Sequence, residues 1–451
     1  IPGTGSVSVD ATGEPHYLAN SAYYDVLVNN AFGDYRQLLG AVALHPVMGK
    51  FLSHLANAKG DPEAERFADE NFAREVMQLF SIGVHELDSN GVVQTDNHGK
   101  PVPTYDNVDI TELARVFTGL SYAGAPGFGT GVPTYRFPMQ MFENFHDQGE
   151  KVLLGGLRLP AGQPGMADIN AALDNLAAHD NVAPFISRLL IQRFVNANPS
   201  RAYLGRVAAV FNDNGSGQKG DLRAVLKAIL LDEEALGGYR FMIGHSGAQN
   251  FVSVARGGSV RSRLREPVVR YAAFLRAFDP QTDHPSGQLR LPQMMNFLSQ
   301  APFSAPGVFN FYLPDHVPAG PISDYDGEVD TPNGVLVAPE FQIMHSTSVN
   351  RLVNRFYADL AQRGPVFPYV LNGQGSVSHK ISLDFDREIA LAGDPDELVR
   401  HLDILLCGGA LNDGTATIIS TVVGETTSDP WSRARGAIEA VLTAPECAVS
   451  G

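Results

Sequence analysis

Cysteine is almost missing from this 451-residue chain, which has only Cys407 and Cys447. Two cysteines cannot make a disulfide scaffold, and their spacing is not that of a metal site; one bridge and two buried thiols both remain open. Lysine is also scarce, with seven residues against 26 arginines. Charged residues make up only 18% of the chain, and the balance is acidic, with a net charge of -16 and a pI near 5.2. Such a chain offers no extended phosphate-binding surface, which argues against a nucleic-acid partner. No uninterrupted apolar run approaches the roughly 18 residues needed to span a bilayer, so no transmembrane segment is expected. Several catalytic signatures are absent as well: the Gly-x-Ser-x-Gly elbow, the Walker-type phosphate loop, the His-Glu-x-x-His helix and Cys-x-x-Cys.

What the chain does have is 44% hydrophobic residues, enough to bury a large core in one big domain or in two or three ordinary ones. Apolar residues return every three or four positions over 21–30, 35–44 and 47–56, then over a longer stretch, 69–84, which ends near Gly83. Two turn signals, Asn90-Gly91 and Asn97-His98-Gly99, predict an irregular hairpin over 85–105. Helix resumes over 109–120, with Asp109 as the expected N-cap and Glu112 as its capping-box partner. A tight ribbon is expected over 151–159, turning at Gly155-Gly156. Helices follow over 166–179, 182–196, 201–211 and 221–232. The glycine-rich stretch 237–262 is the best place for a sub-boundary. Beyond it lie helices over 266–278 and 291–300, an aromatic loop over 301–339, a long helix over 340–363, and helices over 395–405, 415–423 and 429–442. The expected fold is therefore mainly α, a large multi-helix orthogonal assembly with small β-hairpins and long ordered loops.

The polar stripe of the 69–84 helix is the first candidate site. At about 100° per residue, Phe72, Val76, Leu79, Phe80 and Gly83 share one side, and Asn71, Arg74, Glu75 and Gln78 fill the adjacent sector. Phe67 and Ile82 fall in or beside that sector, which points it at protein or a cleft. A semi-buried carboxylate beside an arginine is held ionised or tuned for proton transfer. The structural alternative pairs Arg74 with Glu70 at i, i+4 and ties Glu75 and Asn71 to neighbouring loops. His146-Asp147 with Lys151 is the second candidate, because a histidine beside a carboxylate can bind a divalent metal or shuttle protons; a turn-capping Asp beside a surface His explains the pair somewhat better. The acidic run 324–330 could wrap a hard cation, although its glycine is misplaced for an EF-hand. Asp213-Asn214-Gly215 reads as a turn, and Ser246 in Gly244-His-Ser-Gly247 lacks the flanking strand of an esterase elbow.

The segment Glu70-Asn-Phe-Ala-Arg-Glu-Val-Met-Gln-Leu-Phe-Ser-Ile-Gly-Val84 resembles the signature helix of the bacterial domain-of-unknown-function family numbered 1800. Pro101-Val-Pro-Thr-Tyr105, Ala114-Arg-Val-Phe-Thr-Gly119, His146-Asp147 with Lys151, Pro306-Gly-Val-Phe-Asn-Phe-Tyr312 and Ala444-Pro-Glu-Cys447 extend the resemblance over nearly the whole chain. The resemblance implies one family-wide unit over 1–451, exported to the periplasm, cell surface or medium, with further helices before Ile1. It also implies a partner from the unknown-function family numbered 1501, which looks like a sulfatase or phosphatase-type fold. Glu70, Asn71, Arg74, Glu75, His146, Asp147 and Lys151 match the pattern. Many members read Glu-Leu-His where this chain has Gln78-Leu79-Phe80, so a carboxylate and an imidazole are lost. Two functions follow as expectations. One is a hydrolase or lyase acting on an extracellular glycan or related polymer, with Glu75 as acid/base, Arg74 as clamp, His146 and Asp147 as auxiliary or metal ligands, and Asn71, Gln78, Glu70 and Lys151 in binding. The other is a non-catalytic binding or assembly protein working with the sulfatase-like neighbour.

Overall fold

The computed structural model describes residues 18–131, 134–236, 263–285, 287, 289, 294–361, 367–370 and 378–450. Its first part runs through α1 (Leu18–Asn29), α2 (Tyr35–Ala43), α3 (Pro46–Phe51), α4 (Asn71–Gln78), α5 (Asn107–Val116), α6 (Gly165–Ala178), α7 (Val182–Phe194), α8 (Arg201–Asn212), α9 (Leu222–Leu231) and α10 (Glu233–Leu236). The second part comprises α11 (Pro267–Ala277), α12 (Met294–Leu298), α13 (Ser346–Leu360), α14 (Asp386–Leu391), α15 (Pro395–Leu402), α16 (Asp413–Thr426) and α17 (Pro430–Thr443). The fold is mainly α, as expected.

Side-chain caps start many of these helices. Asp34, Ser200, Asp221, Asp394 and Asp429 each accept a first-turn amide, and Pro395 and Pro430 occupy the N1 position, where a missing N–H costs nothing. Three expected helices are revised. The cap of the 109–120 helix lies three residues earlier: Asp106 accepts from Val108 and Asp109, and Asp109 returns a bond to the Asp106 amide, so Asp109 is the N3 partner of the cap. Glu112 is left free to pair with Arg115. The 340–363 helix is broken into a 3-10 turn, Pro339–Gln342, and α13, where the Ser348 hydroxyl bonds the Ile343 and His345 carbonyls. The 69–84 helix is regular only over α4, and its C-terminal end opens into wider turns as the Ile82 and Gly83 amides both reach back to Met77 O.

Strands are short. β1 (Leu120–Ser121) pairs with β2 (Gln140–Met141), and β3 (Lys151–Leu153) with β4 (Leu157–Leu159) across a turn in which Gly155 and Gly156 have positive φ. β5 (Arg263–Leu264) pairs with the C-terminal β9 (Val449–Ser450). Between them in the chain, β6 (Gln281–Thr282), β7 (Phe367–Val370) and β8 (Ser378–Ser382) form an antiparallel sheet ordered β6-β8-β7, which periodicity had not announced. The 85–105 hairpin is present as isolated bridges, Leu87 to Val93 and Thr95 to Pro101.

The buried apolar residues form two main cores. One gathers Phe72, Val76, Met77, Phe117, Tyr203 and Phe211, all from α4 to α9 and their connections. The other gathers Tyr271, Phe274, Phe356, Leu398, Ile438 and Val441 from α11 to α17. Residues 237–262, the expected sub-boundary, lie outside the described residues. The aromatic loop is ordered and tied to the first core: Asn198 exchanges two bonds with the Val337 backbone, and Arg193 lies over the Tyr312 ring at 4.4 Å. Cys407 and Cys447 are bridged, with Cα atoms 4.7 Å apart. Arg265 and Arg270 donate to Leu406 O and Leu442 O at nearby helix ends, where a cation offsets the terminal carbonyls.

Candidate functional site

α4 is anchored before it begins. The Asp69 carboxylate accepts the Asn71 amide at 2.8 Å, while Asn57 exchanges two bonds with the Asp69 backbone. Phe72 stacks on His54 at 3.8 Å and meets Phe117 edge-on at 4.7 Å, which fixes the rotation of the helix. That rotation buries Phe72, Ala73, Glu75, Val76 and Met77 and turns Asn71 outward, with Arg74 and Gln78 half-exposed. Phe67 and Ile82 both lie beyond the ends of α4, so neither belongs to its polar sector: Phe67 is 82% exposed and Ile82 is sealed in the core.

Glu75 therefore sits where the buried face meets the polar flank. It is only 7% exposed, and its Oε2 is shut off from solvent without a hydrogen-bond partner among the described residues. Burial pushes its carboxyl above the usual carboxylate range, and the charge of Arg74 only partly opposes this. Arg74 pairs with Glu70 at 3.5 Å, one turn back, and Glu70 also accepts the Thr111 hydroxyl at 2.8 Å. Tyr105, on the segment leading into α5, donates to Gln78 Oε1 at 3.5 Å. Burial raises the Tyr105 phenol, Arg74 lowers it and Glu75 adds to the rise, so the three groups share one electrostatic neighbourhood.

The second candidate is built differently. His146 is fully buried, with Nδ1 3.0 Å from Thr118 O and Nε2 3.0 Å from Asp168 Oδ2. Lys151 is buried too and donates to Asp168 at 2.7 Å, Asp147 O at 2.5 Å and Gly149 O at 3.1 Å. Asp147 faces outward and takes a two-pronged bond from Arg115, 3.0 Å on each side. Burial works to raise the Asp147 carboxyl, but the Arg115 bonds, the Gly149 amide and the nearby cations outweigh it and hold it below its ordinary range. Gly119 and Gly165 close the shell: a Cβ at either would come within 2.9 Å of His146 atoms. Every polar end in this knot already has a partner, so it locks the 118–168 segment to α5 and α6.

No hydrogen bond or ion pair of the described residues joins Glu75 to His146; α5 stands between them, with Thr111 turned to α4 and Arg115 to Asp147. Sequence reasoning missed Tyr105, Thr118 and Asp168. Tyr105 closes the Pro101–Tyr105 motif, which is its one signal, whereas Asp168, an acid in the first turn of α6, carries no signal of its own. The acidic run 324–330 is a loop in which Asp324 accepts from Ser323 and Asp330 lies 3.8 Å from Arg201. Among the described residues no three His, Cys, Asp or Glu side chains converge to hold a metal ion. Asp213 accepts the Gly215 and Gly217 amides as a turn, and Ser246 lies outside the described residues. A groove of about 320 Å³ between α16 and α17, lined by Ile418, Val422 and Ala440, involves none of these groups.

No curated protein and no solved structure matches the chain. The model of a family described as "Protein of unknown function (DUF1800)" matches residues 6–449, and with that coverage the chain belongs to the DUF1800 family.

Proposed function

We propose that the flank of α4 is an acid/base site and that the protein is an exported hydrolase or lyase acting on an extracellular glycan or related polymer. The observation that carries this reading is Glu75: a buried carboxyl, one oxygen of which has no hydrogen-bond partner among the described residues, pushed above the usual carboxylate range by burial and set beside a cation and a phenol. A buried polar atom left unpaired calls for an explanation, and a reacting group that meets its partner only when substrate binds is one. Glu75 acts as the general acid/base, Arg74 as the clamp on developing charge, and Asn71 and Gln78 contact the substrate. Glu70 orients Arg74. His146, Asp147 and Lys151 are scaffold behind this flank. The bridge between Cys407 and Cys447 supports export, because such bonds persist mainly in oxidising compartments.

Screening a glycan panel with wild-type protein and E75Q tests the reading. The expected result is loss of about a hundredfold or more in turnover, on the scale of a general acid's contribution, with the melting temperature retained. Full activity in E75Q would sink it.

A second reading, a binding or assembly protein working with a sulfatase- or phosphatase-like partner of the family numbered 1501, is favoured by one observation. Phe303, Phe309, Leu313 and Phe341 are exposed on an ordered segment, and aromatic residues of this kind anchor protein interfaces. Collapse of E75Q stability without any assayable activity would favour it.

A further inference from the structure

The groove between α16 and α17 has no part in the site described above, and its two walls are uneven. On α16, Ile418 and Val422 stand one turn apart as a raised edge, 66% and 56% exposed. On α17, Ser432, Gly436 and Ala440 follow at the same spacing and leave a low floor. Gly436 sets that floor, and nothing inside the described chain requires it. Glycine in the body of a helix is less stable than alanine, so a fold that keeps one there normally needs the room. Gly40, Gly49, Gly205 and Gly424, in α2, α3, α8 and α16, each have another side chain within 4 Å of the place a Cβ would take, whereas Gly436 has nothing there. The room above Gly436 is thus left for a surface outside the chain. Arg433 holds the groove in shape by donating to Thr427 O and Gly424 O at the end of α16 and to Ala392 O.

Charge and shape together identify that surface. Gly414 to Gly424 is a run of eleven residues without a charged side chain in a chain whose net charge is -16. Two copies of so acidic a chain repel over most approaches and can meet where charge is missing, and a basic partner would find no acid to grip along this run. With a two-fold axis along the groove, the Ile418–Val422 edge of each copy lies over the Gly436 floor of the other, ridge into groove, which is the self-complementary patch of an isologous dimer. A small apolar ligand lying in the groove would leave the outer sides of Ile418 and Val422 in water.

We propose that the α16–α17 face joins two copies of this chain in a reversible homodimer. Two helices of 14 residues, each about 21 Å long and about 10 Å wide, present on the order of 400 Å² per copy. That is about half of what a stable interface buries on each side, so the dimer forms and dissociates at micromolar concentration.

Analytical ultracentrifugation of the whole chain from about 1 to about 200 μM, at low and at high salt, tests it. The dimer fraction is expected to rise with concentration and also with salt, which screens the repulsion between acidic copies; a contact held by ion pairs would weaken instead. Val422→Glu puts a charge on the exposed edge and should raise the dissociation constant about tenfold or more. Gly436→Ala should raise the melting temperature, because the added methyl meets nothing in the chain and suits a helix better, and should weaken the dimer by a similar factor. A purely internal role for this position would give the first effect without the second, and the variant keeps the test decisive if Val422→Glu folds poorly. A monomer mass at every concentration, even from a chain whose groove takes up an apolar dye, would overturn the proposal. So would a dimer that salt weakens, or one that Gly436→Ala or a folded Val422→Glu leaves intact.

Discussion

Replacing Asp168 with asparagine should unfold the first core far more readily without touching the α4 flank. Asp168 is buried and accepts from Lys151 at 2.7 Å and from His146 at 3.0 Å, with Gln163 as a third donor. The substitution removes the countercharge and leaves the Lys151 ammonium enclosed with two carbonyl partners, Asp147 O and Gly149 O. Breaking a buried pair by removing one member costs about 3–5 kcal/mol. Native stability is on the order of 5–15 kcal/mol, so a large share is lost. For a unit of this size the loss corresponds to a fall of roughly 10 °C in melting temperature. Calorimetry measures the fall, and hydrogen exchange followed by mass spectrometry should place the loosened amides between Glu112 and Ala178. A double variant, Asp168→Leu with Lys151→Met, replaces the pair by apolar groups and should be more stable than Asp168→Asn alone. If Asp168→Asn melts within about 2 °C of the parent while activity disappears, the knot is chemical machinery and the structural assignment of His146 and Lys151 is wrong.

Further outcomes follow from other parts of the molecule. Asp359 is buried between Tyr271 and Arg355, and burial pushes its carboxyl from 3.8 up to about 6. The folded chain then holds a proton that the unfolded chain releases, so the contribution of Asp359 is full below about pH 4 and is lost, by about 3 kcal/mol, as pH rises through 6. Urea titrations at pH 4 and pH 7 should show this slope, and Asp359→Asn should flatten it. Reducing the bridge between Cys407 and Cys447, which closes a separation of 40 residues, should cost up to about 4 kcal/mol, confined to the second core. Denaturation with and without reductant checks this, and unchanged second-core stability would contradict it. Gly119 has φ +87°, and a Cβ there would meet Met141 Sδ at 2.8 Å and the His146 amide at 2.9 Å. Gly119→Ala should therefore destabilise by more than the roughly 1 kcal/mol of an ordinary glycine substitution, measured by thermal melts.

The sequence alone was enough for the helical class, most helix positions, the ribbon at Gly155-Gly156 and the ordered state of the aromatic loop. These depend on signals local to a few residues: the period of apolar side chains, acids and serines before helix starts, glycines where φ turns positive. Local signals also misled where two nearby residues competed for one role, as Asp106 and Asp109 did for a single cap. They failed again where a regular apolar period ran past a break, as at Ile343 and His345 ahead of α13.

What each polar side chain does was decided by tertiary contacts. Glu75 and Arg74 are neighbours in the chain, yet the rotation set by Phe72 against His54 and Phe117 buries one and leaves the other half in solvent. From sequence, His146 beside Asp147 is a candidate metal or proton-shuttle pair; in the structure Asp168, arriving from α6, closes over His146 and Lys151 instead. Helical periodicity fixes which residues share a face; only the neighbours brought in from distant sequence determine whether that face meets water, a carboxylate or an empty acceptor.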